Sequence, residues 1–106
     1  MDDEKMINIF LDDLREPPED YILVKTVEEC IEKMKNNQVD ILSLDYDLGK
    51  GQLTGYDLVK WLVSNHLYPN VIILHSMSRS GRESMLALLE VNKPERVKVL
   101  NRRRIY

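Results

Sequence analysis

The sequence has only one cysteine, Cys30, which excludes an intramolecular disulfide. Cys30 falls among apolar positions of helical spacing, where a free thiol packs as a small hydrophobe, and it suits a reducing, cytoplasmic setting. No apolar run approaches the roughly 18 residues of a membrane span, and the N-terminus is acidic rather than basic, so no membrane association is expected. Excess positive charge is also missing. The formal net charge is −3, and the one basic run, Arg102–Arg104, is offset by the acidic opening Asp2–Glu4. That balance argues against generic binding to DNA or other nucleic acid. There is no internal repeat, low-complexity block or interdomain linker, and the 106 residues suit one domain, 1–106, with a modest core.

What is present is an alternation of short apolar runs with helical periodicity. Met6–Leu11, Ile22–Val24, Val39–Leu44, Val71–Leu74 and Val97–Leu100 read as five strands. Thr26 and Glu29 form a capping box before Val27, Cys30, Ile31 and Met34, predicting a helix over 27–36 that Asn36-Asn37 ends. Leu58, Val59, Leu62 and Val63 mark a second helix from Gly55 to about His66. Ser80 with Glu83 reads as the start of a third, whose apolar side is Met85, Leu86, Leu88 and Leu89. Such alternation predicts a parallel sheet covered by helices on both faces. The exception is "DDLREPPEDY", where two prolines and the lack of a helical period predict an extended connection instead of a helix.

Open parallel sheets bind ligands beyond the carboxyl ends of their strands. The first strand ends in Asp12-Asp13, the third in Asp45 and Asp47, and the fourth in His75-Ser76. Each has a structural reading: a solvated turn for the Asp pair, an Asx turn into Gly49 for Asp47, a satisfied histidine for His75. One shared site explains them together. Four carboxylates at close range oppose joint ionisation and call for a cation, a shared proton or arginine partners, and oxygen ligands of this kind suit Mg²⁺. Arg15 follows the first acid pair, while Ser76, Arg79 and Arg82 lie around the start of the third helix, whose free N–H groups attract phosphate. The plainer alternative is that Ser80 only caps this helix and the arginines are solvated.

"IFLDDLR", "VDILSLDYDLGKGQLTGYDLVKWL" and "PNVIILHS" resemble the response-regulator receiver domain across nearly the whole chain. The resemblance implies a flavodoxin-like α/β three-layer sandwich with a five-stranded, mostly parallel sheet of order 2-1-3-4-5, lacking its first helix. By position, Asp12 and Asp13 match the metal-binding acids, Asp45 the phosphoacceptor, and Asp47 the residue that gives a backbone carbonyl to the metal. His75 stands where receivers carry threonine or serine, and Asn101-Arg102 stand where the fifth strand should end in lysine. "LDDLREPP", "SLDYDLG", "TGYDLV" and "HSMSRSGRESM" together are more similar to the cyclic-phosphate processing receiver domain.

That second resemblance implies action on 2′,3′-cyclic phosphate ends of RNA or on cyclic nucleotides. In the expected site Asp12, Asp13, Asp45 and Asp47 hold Mg²⁺, His75 and Asp45 are catalytic, and Arg15, Ser76, Arg79 and Arg82 bind phosphate. A small phosphoesterase or binding domain for a phosphorylated small molecule or RNA end follows. The alternative is a non-enzymatic receiver-like signalling module that binds a partner protein.

Overall fold

The computed structural model describes residues 5–102. Asp2–Glu4, Arg103 and Arg104 therefore lie outside the described residues. Five strands, β1 (Ile7–Leu11), β2 (Ile22–Val24), β3 (Val39–Leu44), β4 (Val71–Leu74) and β5 (Lys98–Asn101), form one sheet of order β2-β1-β3-β4-β5. Every pairing is parallel. Three helices, α1 (Val27–Asn36), α2 (Gly55–Asn65) and α3 (Arg79–Asn92), alternate with the strands. This is the receiver-like, flavodoxin-like arrangement expected from the sequence.

Handedness decides which face each connection covers. The steps β2 to β3, β3 to β4 and β4 to β5 all run the same way across the sheet, so right-handed crossovers put α1, α2 and α3 on one face. The helices pack side by side accordingly, α1 on α2 and α2 on α3. Beneath them Ile9, Leu11, Leu42, Leu44, Ile72 and Leu74 from the strands meet Cys30, Leu58, Leu62, Met85 and Leu89, all completely buried. Each such aliphatic side chain stabilises the fold by about 1.5–3 kcal/mol relative to exposure. Burial pushes the Cys30 thiol up to about 12, which leaves it inert at neutral pH.

The step from β1 to β2 runs the opposite way, onto the second face. Helices on both faces are thus not found among the described residues: the second face carries the connection 12–21 in place of a helix. Pro17 and Pro18 exclude a helix there, and Tyr21 meets Phe10 edge to face at 6.2 Å between ring centroids. No helix among the described residues is long and apolar enough to cross a membrane.

Three boundaries differ from expectation. Met6 precedes β1, and β5 is displaced by one residue to Lys98–Asn101. Helix α3 begins earlier than Ser80, because Ser78 is the N-cap and its hydroxyl accepts from the Gly81 N–H at 3.0 Å. Glu83 pairs instead with Arg79 at 3.0 Å. Helix α2 carries a reciprocal cap between Thr54 and Asp57, a T-x-x-D pattern not predicted from sequence.

Candidate functional site

The order of the strands reverses between β1 and β3, and at such a switch point the flanking connections diverge and leave a crevice. Register then sets which residues meet there. Leu11 pairs with Leu44 and Leu44 with Leu74, so the residues that follow them, Asp12, Asp45 and His75, emerge abreast. Ladder-like bonds continue past the strand ends: Asp45 N–H donates to the Leu11 carbonyl, and His75 N–H to the Leu44 carbonyl, both at 3.0 Å. One ligand atom each from Asp12, Asp45 and His75 lies within 4.8 Å of the others.

His75 and Asp12 share the second face with Phe10 and Ser43, as strand alternation requires. The His75 ring is completely buried, stacked on Phe10 at 4.5 Å and 4° between planes. Its Nε2 donates to Asp12 Oδ2 at 2.9 Å, and its Nδ1 accepts from the Ser43 hydroxyl at 2.7 Å. A carboxylate only accepts, which fixes this tautomer. Burial pushes the His75 pKa down, with the Asp12 contact opposing, so the ring is neutral. Ser43 was not anticipated as a site residue. The signal was its hydroxyl within the apolar run "VDILSL", since a buried polar group in a central strand requires a partner.

Asp12 Oδ1 accepts from the N–H groups of Leu14 and Arg15, at 2.8 and 2.9 Å, turning the chain sharply after β1. Asp45 is half-buried and accepts from its neighbour's N–H, that of Tyr46, at 2.8 Å. Burial is the largest influence on the Asp45 carboxyl and raises its pKa. The Ser76 hydroxyl opposes this, and the Asp12 charge adds to the rise. Asp45 is therefore a carboxyl group whose charged form is disfavoured chiefly by its burial.

These groups open onto a cleft of about 510 Å³ that Asp12, Asp13, Arg15, Asp45, Asp47 and Ser76 line together. Not all the expected residues reach it. Asp47 does so, and also forms the Asx turn, accepting from Gly49 N–H at 3.0 Å. Gly49 adopts a φ of 112° beside the Asp13 carboxylate, a conformation that side chains rarely take. His75 lies behind the cleft lining. Arg79 is exposed and paired with Glu83. Arg82 donates through Nη1 to the Ser76 carbonyl and through Nε to Asn101 Oδ1 at 2.9 Å, tying α3 to the ends of β4 and β5. Of the three candidate arginines, Arg15 alone lines the cleft.

Two close approaches hold the acids in place. The Gly55 N–H donates to the Tyr46 carbonyl at 2.8 Å, and a Cβ on Gly55 would stand 2.2 Å from the Asp45 carbonyl oxygen. The ring of Tyr46 covers Gly81 in the first turn of α3, where a Cβ would lie 2.5 Å from it.

The fold is similar to that of the signal receiver domain of a protein described as a Luxo repressor from Vibrio parahaemolyticus. The TM-score is 0.60 at 15% identity, over 92% of this chain and 78% of that one. No curated protein sequence matches the chain significantly. The model of the cyclic-phosphate processing receiver domain matches residues 7–91. With its parallel sheet, acid pair and cleft-lining Asp45, the chain belongs to the cyclic-phosphate processing receiver domain family.

Proposed function

We propose that this domain binds a cyclic phosphate, the 2′,3′-cyclic end of an RNA or a cyclic nucleotide, and opens its ring by hydrolysis. The observation that carries the proposal is the convergence of Asp12, Asp13 and Asp45 on one cleft with Arg15. The residues fit Mg²⁺: the His75 ring of the three-residue cluster is already bonded to Asp12 and Ser43, which leaves the hard carboxylate oxygens of Asp12, Asp13, Asp45 and Asp47 along the cleft. When bound, the ion would neutralise the acids and polarise a phosphoryl oxygen.

The residues supply the remainder. Arg15, whose Nη1 also reaches the His75 carbonyl at 3.5 Å, offers its guanidinium to the phosphate oxygens, and Ser78 offers a hydroxyl beside it. Asp45, at the edge of the cleft, takes a proton from water. The water oxygen bonds to phosphorus, one ester P–O bond of the ring breaks, and the released ribose oxygen takes up the proton that Asp45 accepted, giving a monophosphate and restoring the carboxylate. His75 serves as a positioning residue, since both of its ring nitrogens are engaged and it holds the Asp12 carboxylate in orientation. Arg79 and Arg82 have no part in this scheme because Glu83, Ser76 and Asn101 occupy them. The buried, unpaired Cys30 supports a cytoplasmic setting.

Incubation with Mg²⁺ and a 2′,3′-cyclic nucleotide is expected to yield ring-opened monophosphate by ³¹P NMR, and chelation or Asp45→Asn to abolish it. No turnover across 2′,3′- and 3′,5′-cyclic phosphates, together with stable labelling of Asp45 by a small acyl phosphate, overturns the proposal. One observation favours a second reading, a non-enzymatic signalling module: the imidazole that would serve as acid or base has no nitrogen free toward the cleft. That module would bind Mg²⁺ and a partner protein without turnover.

A further inference from the structure

Polar residues supply most of the chemistry of the cleft, yet two of its lining residues are apolar and face solvent. Leu14 is 86% exposed and Met77 is 55% exposed. Exposed aliphatic side chains scattered singly need no explanation. These two are not scattered. They come from different connections, β1–β2 and β4–α3, and border the same cleft. Each is flanked in sequence by cleft-lining polar residues: Asp13 and Arg15 beside Leu14, Ser76 and Ser78 beside Met77. Capping and turn bonds hold both flanks. Leu14 N–H and Arg15 N–H donate to Asp12 Oδ1, and Ser78 N–H donates to Ser76 Oγ at 3.0 Å. The backbone that presents Leu14 is thus anchored at Asp12, and the backbone that presents Met77 is anchored at the Ser76 hydroxyl.

Volume points the same way. The cleft measures about 510 Å³, far more than an inorganic phosphate fills. It lies in the range of about 300–1,000 Å³ typical of organic ligands. We infer that Leu14 and Met77 form an apolar rim that takes the aromatic base of a nucleoside phosphate whose phosphate lies among Asp13, Arg15 and Asp45. The inference rests on the phosphate-binding reading above and adds the chemistry of the group attached to that phosphate. A thioether contacts the edge or face of an aromatic ring favourably, and a leucine side chain covers its face. Leucine offers no hydrogen-bonding group and the thioether only a weak acceptor, so the rim distinguishes a nucleoside from a bare sugar phosphate with little discrimination among bases.

The test compares probes with and without a base, in excess Mg²⁺, by calorimetric titration. Adenosine 2′- and 3′-monophosphate are set against ribose monophosphate and inorganic phosphate. The nucleotides are expected to bind about tenfold or more tightly than ribose monophosphate, equivalent to ~1.4 kcal/mol. Leu14→Ser combined with Met77→Ser is expected to erase that advantage and leave the affinity for inorganic phosphate unchanged. Both side chains are exposed, so the variant retains the fold, which circular dichroism checks. Equal affinity with and without a base, or an unaltered advantage in the double variant, overturns the inference while leaving the phosphate site standing. Failure of every phosphate compound, inorganic phosphate included, overturns both. Uridine and adenosine monophosphates are expected to bind alike, and strong preference for one base would refute a rim without hydrogen bonding.

Discussion

Replacing Gly55 by alanine sets two opposed effects against each other, and the structure determines which prevails. Gly55 is the first residue of α2, and alanine there gains helix propensity of up to about 1 kcal/mol. The new Cβ would stand 2.2 Å from the Asp45 carbonyl oxygen and 3.1 Å from Met85 Sδ, where an ordinary contact is at least 3.4 Å. Met85 can yield by rotating, but the carbonyl belongs to backbone. Moving it strains the bonds from Asp45 N–H to Leu11 and from Gly55 N–H to Tyr46, at 3.0 and 2.8 Å. Overpacking costs about 1–3 kcal/mol, and each weakened bond about 1 kcal/mol. The net loss is therefore about 2–4 kcal/mol. For a domain of this size that lowers Tm by roughly 8–30 °C, readable by thermal and urea unfolding. The displaced group is Asp45 itself, so the rise in Tm on adding Mg²⁺ should also shrink. A Gly55→Ala protein as stable as the wild type, or more stable, would refute the close-approach argument. Loss of stability with an undiminished response to Mg²⁺ would refute the coupling to Asp45.

Asp45→Asn should stabilise the metal-free protein at neutral pH. The folded pKa of Asp45 is raised, so its favourable contribution is complete below the unfolded value of about 3.9 and is lost as pH rises through the folded value. The gap between variant and wild type in chelator should consequently widen from pH 3 to pH 7, and a constant gap in urea midpoints would contradict the shift. Arg15→Met should weaken phosphate binding about tenfold or more, the loss of one charge-assisted contact, whereas Arg82→Met should lower stability by about 1 kcal/mol with little change in phosphate affinity. Reversal of those two outcomes in titration would place the anion at the α3 start instead. Ser43→Ala leaves Nδ1 of the buried His75 without a donor and should cost about 1–3 kcal/mol in urea unfolding, and no loss would mean that a water or a flipped ring takes over.

Much of the architecture could be read from local pattern. β2, β3, β4 and α1 coincide with their apolar runs or periodic stretches because each is bounded by residues that stop it, such as Asn37 after α1. Placing Asp12, Asp13 and Asp45 at one sheet edge needed only parallel strands and their carboxyl ends. What local pattern could not supply was the face. His75 follows β4 directly and reads as a residue at the mouth of the crevice, but alternation turns its ring under the connection 12–21, against Phe10. That outcome depends on the registers of β1, β3 and β4 together. The arginines of α3 illustrate a second limit. Arg79 and Arg82 lie at a helix start in sequence, yet Glu83 one turn on and Asn101 on another strand claim them first. Ser78 displaced Ser80 as the cap for a similar reason, since the cap is set by where β4 releases the chain.

The connection 12–21 combines two duties. It supplies Asp12, Asp13 and Arg15 to the cleft, and through Tyr21 it also covers Phe10 on the second face of the sheet. Here a single excursion of the segment wets Phe10 and His75 and releases the carboxylates in the same event. Occupancy of the cleft would therefore be felt as slowed amide exchange beneath Tyr21, on the side of the sheet that no ligand touches. A substitution in "DDLREPPEDY" is therefore expected to act twice, once on the chemistry of the cleft and once on the dryness of the core.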